Sequence, residues 1–148
     1  EKDSVYPEHI KYIILGIMVC VVIEIIIGTE IRGGLDISRK ENPLIEGVIL
    51  LKMLGPFKYI HTILGVILLG LVFYLRIILQ NIKSSSSDYM IYAVNFMLII
   101  IGVQIVLGES LVFFEVKPLV QLFHMWFSSL LLGLSIVQYT FWKISNSV

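Results

Sequence analysis

Four long apolar blocks, roughly residues 10–31, 57–80, 89–108 and 119–142, limit most strongly what this chain can become. A helix crosses a bilayer core with about 20 apolar residues, so each block reads as a spanning segment rather than a soluble core helix. Together they take up over half of the 148 residues and leave little from which to build a soluble domain. The expected fold is all-α: a four-helix transmembrane bundle in which residues 1–148 form a single transmembrane domain.

Charge and cysteine content narrow the function classes. The formal net charge is zero, whereas a nucleic-acid surface calls for a basic stripe, so the partner indicated is the lipid bilayer and not nucleic acid. Cys20, inside the first block, is the single cysteine, which excludes an intrachain disulfide and a cysteine-based metal cluster. The first block is too long for the apolar region of a signal peptide, and no A-x-A-like cleavage site follows it, so it is kept as a span. The chain begins with Glu rather than Met, and the expectation is that a short piece, or a whole preceding half, has been removed or belongs to another chain.

A repeat lies within the blocks. His61 opens HTILGVILLGLVFYL and His124 opens HMWFSSLLLGLSIVQ; in both, Leu-Leu-Gly-Leu begins seven residues after the histidine. Gly65 and Ser128 stand one helical turn after the histidines, on the same face, and leave flat space beside each imidazole. The other two blocks correspond as well, since Glu24 precedes Gly28 by four residues and Gln104 precedes Gly108 by four. The repeating unit is therefore a helical hairpin, residues 10–80 and 89–144.

In chain order, Pro7 suits a helix start and His9 a solvated interfacial position. Glu24 is a carboxylate within a span, which is expensive in lipid and must face protein; a functional role and a structural hydrogen bond to a neighbouring helix both stand. The first span is expected to end at Gly33-Gly34. A charged loop then runs to about Pro56, and its PLIEGVILLKML stretch is too short to cross, so it suits a helix that lies in the interface or folds over the bundle mouth, as a lid over a cofactor or as a plain interfacial anchor. The second span begins near Phe57 and ends by Arg76. Lys83 to Asp88 reads as a flexible polar turn closed by Asp88 as N-cap, and GESLVFFEVKP joins the third span to the fourth.

Because the spans alternate in direction, His61, His124, Glu24, Gln104, Gly28 and Gly108 gather at one depth near one membrane face. Two-fold packing of the hairpins would set the histidines on opposite sides of the axis. Charge gives no orientation: five cations lie on the face of the termini and six on the histidine face.

Imidazole binds zinc, copper and iron alike. A zinc site wants three or four close ligands, whereas a porphyrin supplies four to its iron and leaves two axial positions. Two histidines at matched depth in a four-helix bundle therefore point to a b-type haem (iron protoporphyrin) held by His61 and His124, with a structural or proton-relay pair as the alternative. Arg32, Lys58 and Lys117 are placed to pair with its propionates.

The stretches IEIIIGTEIRGGLD from Ile23, YIHTILGVILLGLVFYL from Tyr59, VQIVLG from Val103 and LFHMWFSSLLLGL from Leu122 resemble the haem A synthase family, over nearly the whole chain. The similarity is to the C-terminal four-helix half of its eight-helix members, or to a half-length member. It implies that His61 and His124 are axial ligands and that Arg32 is the loop arginine of the Gly28-Thr29-x-x-Arg32 motif. It further implies an outward-facing haem, a cytoplasmic N-terminus, and a bacterial or archaeal plasma membrane or a mitochondrial inner membrane. Three positions depart from the family pattern: Thr62 where members usually have Arg, Lys58 where the catalytic half has an acid, and Glu24 where Gln is usual. The first two favour the electron-donating half that holds cofactor over the half that oxidises haem O to haem A.

Three function classes follow from these readings. The favoured one is a haem A synthase-type protein, with haem O as possible substrate, Glu24 as the catalytic candidate, and a homo-oligomer or second four-helix half as partner. The second is a bis-histidine cytochrome subunit passing electrons in a respiratory complex, and the third is a scaffold without haem.

Overall fold

The computed structural model describes residues 6–45, 47–53, 55–82, 87–113 and 117–147. They form α1 (Glu8–Glu41), α2 (Gly47–Met53), α3 (Phe57–Gln80), α4 (Ser87–Phe113) and α5 (Pro118–Ser145). All but α2 are long and apolar enough to cross a membrane, and they make the all-α four-helix bundle of a multi-pass membrane protein.

Several helix ends differ from the sequence expectation. α1 does not stop at Gly33-Gly34 but runs on to Glu41, 34 residues or about 51 Å of helix against a bilayer core of about 30 Å. A helical glycine costs about 1 kcal/mol relative to alanine. That cost is offset by packing of Ile31 and Leu35 against Leu50 and Leu51 of α2, and by Arg39 and Lys40 in the last turn, where the helix dipole favours cations. Asn42 closes the helix by donating its backbone N–H to the Ser38 carbonyl at 2.9 Å. α3 continues past Arg76 to Gln80, because Arg76 turns toward α4 and donates from Nε to Asn95 Oδ1 at 2.8 Å. α4 starts at Ser87, so Asp88 lies in its first turn rather than at its cap, and the helix runs past Gly108 to Phe113. Residues 83–86 of the expected polar turn and 114–116 of the α4–α5 loop lie outside the described residues. Pro7 is the N-cap of α1, Pro118 opens α5, and His9 is exposed.

The four long helices pack as a square. α1 and α4 each touch both α3 and α5, so α3 faces α5 across one diagonal and α1 faces α4 across the other. The duplication is written into the core. Ile10, Ile14, Ile17, Cys20 and Val21 of α1 are buried, and so are Met90, Val94, Met97, Ile100 and Ile101 of α4, each 80 positions on. Leu68, Val72, Leu75 and Leu79 of α3 are matched by buried Leu131, Ser135, Gln138 and Trp142 of α5, each 63 positions on. Equal helical spacing sends equivalent side chains to the axis in both hairpins.

This shared core fills the half of the bundle nearer the termini. A smaller apolar cluster lies at the other end, where Leu50 and Leu51 of α2 pack on Ile31 and Leu35 of α1 and on Leu111 of α4. Within the 43–54 stretch the helix Gly47–Met53 thus packs on α1 and α4 at the end of the bundle away from the termini. Between the two clusters lies a layer of polar side chains.

Candidate functional site

That layer surrounds a cavity of about 480 Å³. Glu24, Gly28, Arg32, His61, Gly65, Gln104, Gly108, His124 and Ser128, nine residues singled out in the sequence and drawn from four helices, all line it. Lys58 lines it too, whereas Lys117, the α5 N-cap residue, does not. The glycines of the Leu-Leu-Gly-Leu tetrads, Gly70 and Gly133, have open space beside them and face outward; the buried members are Leu68 and Leu131.

His61 from α3 and His124 from α5 approach along the diagonal, with ring centres 6.2 Å apart and ring planes at 66°. Each imidazole rests over a glycine of the neighbouring helix. A Cβ on Gly28 would lie 3.8 Å from His61 Cε1, and one on Gly108 would lie 3.7 Å from His124 Cε1. Those are ordinary contact distances, so the glycines leave room for little more than a methyl group beside each ring.

The polar partners differ between the repeats. In the first hairpin the Glu24 carboxylate lies against His61 Nδ1, with side chains 12% and 30% exposed respectively. Its other oxygen, Oε1, is buried with no hydrogen-bond partner among the described residues and lies 3.9 Å from where a Cβ on Gly65 would be. In the second hairpin, Gln104 Nε2 donates to the His124 carbonyl at 2.8 Å and to Ser128 Oγ at 2.6 Å, and the Ser128 hydroxyl donates back to the His124 carbonyl at 2.9 Å. Ser128 is therefore not merely a small residue leaving space, since its hydroxyl ties α4 to α5. Gln104 Oε1 is buried without a partner among the described residues.

At the mouth, Arg32 Nη1 donates to the Met125 thioether at 2.8 Å, a weak acceptor, and Arg32 Nε lies 4.0 Å from Asp36. Sequence reading missed Met125 as a site residue, along with buried Gln121 and the α2 residue Leu51, which line the same cavity. The position of Met125 directly after His124 was the available signal; nothing local marks Leu51.

Among the described residues no group of three or more His, Cys, Asp or Glu side chains is set to hold a metal ion. The two imidazoles stand as a pair at the cavity. A metal bound about 2 Å from a nitrogen of each of two opposed imidazoles separates the ring centres by roughly 6 Å, which the observed spacing matches. The cavity volume lies within the roughly 300–1,000 Å³ typical of sites that bury a small molecule or cofactor. By spacing, room and donor chemistry the residues fit a haem. Comparison of the chain with family models, curated proteins and solved structures finds no match.

Proposed function

We propose that this chain is a haem-binding membrane protein of haem A synthase type, with His61 and His124 as the two axial ligands of a b-type haem. The observation that carries the reading is the diagonal approach of two repeat-related imidazoles, 6.2 Å apart, at a cavity whose wall includes Gly28, Gly65, Gly108 and Ser128. A haem bound there would supply one-electron chemistry. The Glu24 carboxylate lies against His61 Nδ1, a placement that would leave Nε2 for a metal, in the way carboxylates commonly steer metal-binding histidines. Gln104 and Ser128 hold the α5 backbone at His124. Arg32 and Lys58 put cations on the cavity wall at the mouth, where they would meet propionates. Leu51 of α2 adds an apolar wall to the cavity at that end. The same reading sets the haem toward the outer face of a bacterial, archaeal or mitochondrial inner membrane.

A second reading, a bis-histidine cytochrome subunit that passes electrons within a respiratory complex, is favoured by one observation. Lys58 lines the cavity at the position where the catalytic half of the resembled family has an acid, which favours haem holding over haem O oxidation. Presence of haem separates both readings from a plain scaffold, and turnover of haem O separates them from each other.

The test is an optical spectrum of the purified protein with its extracted haem identified. Two imidazole ligands give low-spin iron, and either His61→Ala or His124→Ala should abolish or convert that signal. An unchanged spectrum in both single variants would sink the assignment.

A further inference from the structure

Two helix seams related by the hairpin repeat carry exposed residues that line a cavity beside the histidines. One is the seam of α3 and α4, where the cavity-lining residues Thr62, Val66, Ile105 and Glu109 are all exposed. The other is the seam of α5 and α1, at the repeat mates Met125, Ser129, Ile25 and Thr29, which line a separate small cavity against the same histidines. Both seams are fastened at the end nearer the termini. Arg76 bonds Asn95 between α3 and α4, while Asn146 on the α5 side exchanges two hydrogen bonds with the Tyr6 backbone ahead of α1, at 2.9 and 3.0 Å. Lys11 of α1 also sits 5.7 Å over the Trp142 ring of α5.

The two seams are not equal. At the α1–α5 seam the cavity measures only about 70 Å³, and the Arg32–Met125 contact bridges the two helices beside it. At the α3–α4 seam the space is continuous with the main cavity of about 480 Å³, and its rim residues Val66 and Ile105 are apolar, 65% and 50% exposed, on helices that cross the bilayer. At the end away from the termini, Leu50 and Leu51 of α2 are buried against α1 and α4, and Leu51 lines the main cavity.

We infer that the cavity is loaded sideways from the bilayer, through the α3–α4 seam between Val66 and Ile105, by a planar amphiphile dissolved in the membrane. Its apolar part passes the rim of the two side chains, and its acidic groups come to rest by Lys58 and Arg32. This rests on the proposed haem reading for the identity of the ligand, but the path itself is a property of the bundle.

The test uses the full chain in lipid nanodiscs, with Cys20→Ala to remove the native thiol and Leu69→Cys to place a thiol on the cavity wall. An alkyl maleimide dissolved in the bilayer should label this thiol readily. Adding Val66→Trp with Ile105→Trp, both at exposed positions, should slow labelling by about tenfold or more, while the mirror pair Ile25→Trp with Ser129→Trp should leave the rate unchanged. Uptake of bilayer-dissolved haemin by the chain with its native Leu69 should show the same order among the rim variants. Equal labelling rates in the Val66/Ile105 variant and its parent, or slowing confined to the Ile25/Ser129 variant, would overturn the route. Seam-dependent labelling without haemin uptake would uphold the route and count against the haem reading alone.

Discussion

His61 Nδ1 on α3 lies against the Glu24 carboxylate of α1, whereas the repeat-related pair on α5 and α4, His124 and Gln104, meets through the His124 main-chain carbonyl. Two histidines that are equivalent by duplication therefore have different environments. An acceptor carboxylate makes an imidazole a stronger donor to a metal, and a residue that grips only the backbone does not.

Glu24→Gln tests that difference. It restores in α1 the amide that α4 carries at Gln104, so folding should be preserved. Loss of the carboxyl group beside Nδ1 should raise the midpoint potential of a haem bound there by tens of millivolts, where ~59 mV is a tenfold change for a one-electron couple. Redox titration of the purified variant measures this, and a potential equal to the parent's would make Glu24 structural only.

Gly28 and Gly108 should tolerate alanine, because a Cβ at either meets its imidazole at ordinary contact distance. Leucine at either position would push that ring out of place. The expected outcome is near-parental haem content for Gly28→Ala and Gly108→Ala, with loss of low-spin absorbance for the leucine variants, read from spectra at matched protein concentration.

Gln138 is fully buried on α5 with neither side-chain polar atom hydrogen-bonded among the described residues, and its mate in α3 is Leu75. A buried amide without partners costs about 1–3 kcal/mol. Gln138→Leu should therefore stabilise the bundle by about 1 kcal/mol or more, seen as a higher unfolding midpoint in detergent, with haem content unchanged. Asn95→Ala should act oppositely, by about 0.5–1.5 kcal/mol, because it strips Arg76 of its acceptor.

A single copy of the chain should hold haem without converting haem O. It presents one histidine pair, and the cavity wall has Lys58 where the catalytic half of the resembled family has an acid. Expression with haem O supplied, followed by haem extraction from a preparation of measured mass, checks this. Haem A formed by a demonstrable monomer would mean that the cavity holds substrate rather than a fixed cofactor.

The spans and their pairing into two hairpins were legible in the chain because lipid imposes them locally. A run of some 20 apolar residues has few other places to go, and equal spacings from Glu24 to Gly28 and from Gln104 to Gly108 announce the duplication. For the same reason depth was legible: alternating spans carry His61 and His124 to one level whatever their packing. Helix ends were read less well. Gly33-Gly34 and Arg76 looked like stops, and only the contacts of Leu35 with α2 and of Arg76 with Asn95 carry those helices onward. Tertiary structure alone decided that α2 packs on α1 and α4, that Ser128 serves Gln104, and that Arg32 and Met125 bridge the α1–α5 seam. Those outcomes depend on side chains far apart in sequence. Hydrophobic periodicity specifies how deep a residue sits and which face it occupies, but not which neighbour it meets.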